Sequence, residues 1–199
     1  MKRVGNVFSE IYQRDNLQAA ACAAAEGKRH RTEVIRFFQQ LEQNLHQLSR
    51  QLQHGDYRFS DPRCFEAHDT KTRTIHAPVF VDRVVHHAII RVVGPVLEKG
   101  AIAHSFACRR GRGQHAALRL ARKYTRRTLC YGKLDFRRYY DSVDHSLLRL
   151  RLARRFQEPR VLMLFDQVLD SWQFSPGKGL PIGALTSQYL GNFFLDAFD

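Results

Sequence analysis

Along residues 31–53 (RTEVIRFFQQLEQNLHQLSRQLQ) apolar side chains recur at helical spacing through Val34, Phe37, Phe38, Leu41, Leu45, Leu48 and Leu52. That pattern predicts an amphipathic helix with one face on a core, preceded by a second helix in the alanine-rich stretch 9–25. A broader stripe of Val84, Val85, Ala88, Ile89, Val92, Val93, Val96 and Leu97 predicts a helix from Phe80 to Leu97, bent near its end by Pro95. Between these segments HGDYRFSDP breaks the period with Gly55, Asp61 and Pro62. RCFEAHDTKTRTIHAPV then alternates short β-type runs around a polar tip, predicting a hairpin that carries Lys71 and Arg73 outward. Further on, TLCYGKLDF reads as a short strand ending at Asp135, HSLLRLRLARRF as a helix, and GKGLPIGALTSQ as a glycine-rich turn opening a helix near Thr186.

A chain of 199 residues with 44% hydrophobic content can bury one substantial core or two small interleaved subdomains, and no repeat, low-complexity tract or linker divides it. No apolar run is long enough for a signal-peptide core or a membrane span, so a cytoplasmic location without a membrane partner is expected. Cys22, Cys64, Cys108 and Cys130 are scattered without a CxxC pair, which indicates neither zinc nor a disulfide framework; all four are expected to be packing residues. His86 and His87 fall on the polar side of their helix, where adjacent side chains diverge too far to share a metal. The net charge of +13 changes the picture more, because it makes a polyanion, most commonly nucleic acid, the expected partner.

That charge is concentrated. No acid lies between Glu98 and Asp135, while Lys99, Arg109, Arg110, Arg112, Arg119, Arg122, Lys123, Arg126, Arg127 and Lys133 accumulate there. CRRGRGQHAAL is a basic, glycine-containing loop leading into a helix, where free amides add to the arginines in holding phosphate. On that helix Arg119, Arg122, Lys123 and Arg126 share one face, and Ala117, Leu120, Ala121 and Tyr124 the other. A solvated basic face is the ordinary reading of such a block; the missing acids and the glycine loop favour phosphate-backbone binding instead.

The stretch YGKLDFRRYYDSVDH (131–145) sets acids among aromatics in the middle of this basic chain. A strand ending at Asp135 delivers a carboxylate to an edge or cleft, as a metal site needs. Asp144 is placed to cap the helix after it, and Asp141 reads equally as a turn residue, a supporting acid or a solvated one.

KLDFRRYYDSVDH resembles the first catalytic motif of reverse transcriptases, and GLPIGALTSQYLGNFFLDAFD resembles the motif that follows it, in the form found in group II intron, retron and diversity-generating retroelement enzymes. FEAHDTKTRTIHAPVFVDRVVHHAI and SFACRRGRGQHAAL resemble the family's finger motifs in the same order, so the similarity covers about residues 55–199; the helical start resembles the family's N-terminal extension more weakly. The resemblance implies an α/β (α+β) right-hand polymerase architecture without a thumb: a helical extension over 1–54, fingers over 55–128 and a partial palm over 129–199. It implies RNA-templated DNA synthesis with two Mg²⁺ ions, a DNA or RNA primer and dNTPs. Asp135 would then bind Mg²⁺ with help from the Phe136 backbone carbonyl. Tyr140 would lie beneath the nucleotide sugar and exclude a 2′-hydroxyl; Lys71 and Arg73 would hold the triphosphate. Gln188, with Gly183 and Ser187, would contact template and nucleotide. Tyr139 is the competing candidate for the sugar position, because neighbouring strand residues face opposite ways.

One feature departs from the family. Its remaining metal-binding acids come from a Tyr-x-Asp-Asp motif, and none occurs in these 199 residues. The expectation is therefore a reverse transcriptase domain that is incomplete and inactive as the isolated chain, needing a further C-terminal part or an accessory subunit. The competing expectation is a non-catalytic RNA-binding protein derived from such an enzyme. A basic ribosomal-type protein would match the charge but not the two ordered motifs.

Overall fold

The computed structural model describes residues 3–68, 71–109 and 111–196. Two short helices, α1 (Phe8–Tyr12) and α2 (Arg14–Ala24), open the chain, with the break at extended Gln13. The amphipathic stretch predicted as one helix is two, α3 (Thr32–Gln39) and α4 (Leu41–His54). Gln40 leaves helical geometry at φ −118°, ψ 36°, and Asn44 Nδ2 donates to the Phe37 carbonyl at 3.0 Å, satisfying an acceptor released by the break. The break lets Val34 and Phe37 bury independently of Leu45, Leu48 and Leu52. Gly55 ends α4 in the left-handed region at φ 79°.

The hairpin forms as β1 (Arg63–His68) paired antiparallel with β2 (Thr72–Ala77), with Cys64 opposite His76 and Phe65 opposite Ile75. Next comes α5 (Phe80–Glu98), the central helix, against which α1, α2, α3 and α10 pack. Pro95 lies inside it, one turn from the end. The other helices are α6 (Gln114–Thr125), the single turn α7 (Tyr139–Ser142), α8 (His145–Arg155), α9 (Pro159–Asp170) and α10 (Leu185–Leu195).

One core runs from Phe8 to Phe193 and includes Leu17, Ile89, Leu148, Phe165 and Leu190. The N-terminus belongs to it. Val4 bridges Phe156 through Val4 N–H to Arg155 O (2.8 Å) and Gln157 N–H to Val4 O (2.9 Å), and the Glu158 carboxylate accepts from the amides of Val7 and Phe8 at 2.9 and 3.0 Å. Helix α8 is fastened to α9 by Arg149, at 2.6 Å from both Asp166 and Asp170, and to the end of α10 by Arg151 and Arg155 on the buried Asp196. The whole is a helix-rich α/β molecule whose described strands form one two-stranded sheet. Among the described residues, no helix is long and apolar enough to cross a membrane.

Two further expectations need correction. TLCYGKLDF is not a strand: the backbone over 128–136 joins no ladder among the described residues, and a strand exists only through ladder partners. Leu129 is fully exposed, and Tyr131 and Leu134 are 91% and 92% exposed. The four cysteines, expected to pack, are all exposed and free: Cys22 lies on the open face of α2, Cys64 on the hairpin strand β1, and Cys108 and Cys130 in irregular segments. Cys64 instead meets His76 Nδ1 across the hairpin at 3.1 Å.

Candidate nucleic-acid interface

Three segments distant in sequence converge at the base of the hairpin. His76 N–H of β2 donates to Ile182 O at 2.7 Å. Gly183 follows with φ +126°, and a Cβ there would stand 2.9 Å from Ile75 Cγ2 and 3.0 Å from His76 O, so this close approach requires glycine. On its other side the same turn is bound to 140–145: Leu180 N–H donates to Tyr140 O and Gly179 N–H to Val143 O, both at 2.9 Å. His145, fully buried, donates from Nε2 to Gly179 O at 2.6 Å. Sequence reading passed over His145; its position directly after the capping Asp144 was the available signal. Asp144 caps α8, accepting from Leu147 N–H at 3.0 Å.

Within this frame Lys71 and Arg73 are exposed on the hairpin, Lys71 next to its tip. Ser187 is buried at the start of α10, while Gln188 and Gly183 line a cleft beside the hairpin. Tyr139 and Tyr140 do not face opposite ways. They begin a helical turn after Arg138 in the left-handed region (φ 48°), and both rings lie within van der Waals reach of a side chain placed at Gly191 of α10. Tyr139 Oη donates to Gly191 O at 2.6 Å, and burial, with Cys108 nearby, raises the Tyr140 hydroxyl above its ordinary value. Burial lowers the His76 imidazole, and the Asp141 carboxylate partly offsets this.

Asp135 and the Phe136 carbonyl lie at the end of the irregular 128–136 segment, Asp135 exposed. Among the described residues, no three His, Cys, Asp or Glu side chains come together as a metal-holding group. The residues present do not compose the expected two-Mg²⁺ centre, since one carboxylate cannot hold two divalent ions.

The basic region divides into two parts. Arg109 turns inward, its side chain 11% exposed, donating to Ile102 O (2.9 Å) and Ser105 O (3.2 Å) near Glu98. Arg112 donates to Ala103 O. Both were expected on phosphate; in this geometry their guanidiniums bind backbone carbonyls of 102–105, and Arg110 lies outside the described residues. Asn192 Nδ2 ties the loop to α10 through Ala107 O at 2.6 Å. Helix α6 and the turn that ends it, by contrast, present Arg119, Arg122, Lys123, Arg126 and Arg127 around one open concavity, and the helix buries no residue of its own. Its apolar residues Leu118 and Tyr124 are exposed too. A second cationic cleft, beside Gln188, is lined by Lys28, Arg31, Arg83 and His87. Sequence reading missed the first three: Lys28 and Arg31 lie in the short basic run 28–31, but Arg83 is some fifty residues away and only the fold brings it to them. His86, expected on the polar side, is buried instead: Phe59 stacks on it, Thr186 Oγ1 lies 3.0 Å from its Nδ1, and burial pushes its imidazole down to about 3.

No protein-family model matches the chain. It is 28% identical over 142 residues to Protein YkfC of Escherichia coli (strain K12), covering 65% of this chain and 37% of that protein. It is 29% identical over 92 residues to Nuclear intron maturase 1, mitochondrial, of Arabidopsis thaliana, covering 46% of this chain and 13% of that one. Among solved structures, a chain of a partial Cas6-RT-Cas1–Cas2 complex superposes with TM-score 0.57 at 22% identity, over 95% of this chain and 34% of that one. A Cas6-RT-Cas1–Cas2 complex gives the same TM-score and identity over 21% of its chain. The likeness to these two structures is one of fold, and it extends over 95% of this chain. The chain spans about a third of YkfC and of the first of these structures, and less of the other two.

Proposed function

We propose that these residues are the template- and nucleotide-handling part of an RNA-directed DNA polymerase, and that by themselves they bind RNA without extending a primer. The observation that carries this reading is the convergence of the hairpin, the 140–145 segment and the glycine turn at 179–183 through His76–Ile182, Tyr140–Leu180 and Val143–Gly179. A polymerase needs such an arrangement: cations on an outward hairpin for a triphosphate, an aromatic for the sugar, and an amide beside the template. Lys71 and Arg73 take the first role, Tyr140 the second and Gln188 the third. Helix α6 adds a sequence-independent grip on phosphates.

The chemistry itself needs more carboxylates than Asp135, so no catalytic step is assigned to these residues. Mg²⁺, primer and dNTPs belong to a complex in which other polypeptide, from the same or another chain, supplies those acids. The RNA-binding reading is favoured for the isolated chain by α6, whose cationic concavity has no carboxylate in its lining.

The test is RNA affinity as a function of salt for the chain and for its Arg119→Gln/Arg122→Gln/Lys123→Gln/Arg126→Gln variant. The variant should bind unrelated single-stranded sequences uniformly more weakly, with the log–log salt slope reduced by about 0.7 for each phosphate that is no longer neutralised. Wild-type affinity and slope in the variant would reduce α6 to a solvated face. Primer extension by the 199-residue chain in Mg²⁺ should be absent; extension abolished by Asp135→Ala would overturn the non-catalytic part of the reading.

A further inference from the structure

Cys64 and His76 stand directly opposite each other on β1 and β2. The His76 N–H turns away from β1 and donates to Ile182 O at 2.7 Å, so the two residues form the kind of cross-strand pair whose side chains lie closest. Cys64 Sγ is 3.1 Å from His76 Nδ1, and the Pro62 carbonyl is a more distant acceptor at 3.7 Å. Trp172 steadies the imidazole from a third segment, with the ring centroids 4.6 Å apart. The thiol is exposed, and the imidazole is partly buried behind it.

These surroundings suit the imidazole to accept a proton and return it. Burial lowers His76, which keeps the ring neutral, and the Asp141 carboxylate opposes that lowering, which favours the imidazolium once a proton arrives. A thiol, a base within hydrogen-bond reach and an acid acting on that base are the parts of an activated sulfur nucleophile. Among the described residues, Cys64 is the cysteine with an imidazole at hydrogen-bond distance, whereas burial raises the Cys108 thiol. The six residue pairs of the β1–β2 ladder hold the hairpin, so its fold does not depend on the thiol–imidazole contact.

We propose that Cys64 is a modification site, a nucleophilic thiol that forms mixed disulfides with small disulfide compounds, with His76 as its proton acceptor and donor and Asp141 as a supporting charge. In the exchange the Sγ proton passes to Nδ1, Sγ bonds to one sulfur of the disulfide, and the bond between that compound's two sulfurs breaks. The departing sulfur keeps the electron pair and takes the proton from Nδ1. Cys64 is oxidised and the departing thiol is the reduced product, so no further oxidant takes part. The product has no S–H to hold the ring, and its formation therefore changes the surroundings of Trp172, the only tryptophan of the chain. The inference stands on the geometry of the hairpin and does not depend on RNA binding.

The experiment exposes the 199-residue chain to oxidised glutathione, quenches with acid and locates the adducts by mass spectrometry while the Trp172 emission is followed. Cys64 should be modified at least about tenfold faster than Cys22, Cys108 or Cys130, and the emission should change at the rate of the Cys64 adduct. His76→Asn, whose amide can stand in for Nδ1 as a hydrogen-bonding neighbour but takes up no proton, should slow Cys64 about tenfold or more and leave the other cysteines unchanged. Asp141→Asn should slow it by a smaller factor. Where His76→Asn disturbs the hairpin, the unmodified chain decides by itself: in urea, with the pair separated, the preference for Cys64 should disappear. Equal rates at Cys64, Cys22 and Cys130 in the folded chain would overturn the proposal. So would a preference that survives in urea or in a folded His76→Asn chain, because neighbouring sequence would then be its cause.

Discussion

Gly183 joins two distant segments at the scale of one residue. With φ +126° and a would-be Cβ 2.9 Å from Ile75 Cγ2, alanine there is strained by its backbone and by the β2 strand it faces. Gly183→Ala should therefore cost roughly 1–3 kcal/mol in urea denaturation, and wild-type stability would show that the turn and hairpin are not in contact. The buried His86 gives a pH prediction. Its folded-state imidazole is held at about 3 while the unfolded one titrates near its ordinary 6.5, so the unfolded chain binds more protons as pH falls. The stability from keeping it neutral is present above the unfolded value and lost progressively below it. The thermal midpoint should fall between about pH 7 and pH 5, and His86→Asn, which can keep a partner for Thr186, should shrink that fall; an undiminished fall would place its origin elsewhere. Residue-level chemistry was partly legible in the sequence. Asp144 announced its cap by preceding an apolar-periodic run, and Asp144→Ala should cost about 1 kcal/mol. Arg109 did not announce that it bends back onto its own loop, because whether an arginine reaches solvent or a carbonyl depends on a backbone path that no periodicity encodes.

At the scale of elements, hydrophobic period located α4, α5, α8 and α10 and the β1–β2 hairpin, since each has one packed face or a clear turn. It failed where the determining interaction is remote. The 31–53 stripe gave no sign of the break at Gln40, because both halves keep the same spacing and the break is stabilised by Asn44 reaching Phe37 O. The run TLCYGKLDF has strand composition and no strand, because composition cannot provide a hydrogen-bonding neighbour. That difference matters for the site: Asp135 sits on a segment whose position is not fixed by a sheet. Likewise Tyr139 and Tyr140, expected on opposite faces of a strand, lie together against α10 through a helical turn. The role of Tyr140 at a nucleotide sugar thus depends on how that turn sits beside the hairpin, not on strand alternation.

At the scale of the whole molecule, two cationic surfaces stand out: the open face of α6 and the cleft of Lys28, Arg31, Arg83 and His87, which borders the hairpin and the glycine turn. The first was visible in the sequence as a block without acids. The second was not, because its members come from α2–α3, α5 and α10 and meet only in the fold. The most direct test of the central claim, that these surfaces and the junction of hairpin, 140–145 and glycine turn form one RNA-handling face, is photo-crosslinking of the chain to a 4-thiouridine-substituted single-stranded RNA, with the attachment sites read by mass spectrometry. Attachments should fall on peptides carrying Phe65 to Ile75, Leu118 to Tyr124, and Gln188. Attachments confined to α4 and α9, or none at RNA concentrations that saturate binding, would contradict it.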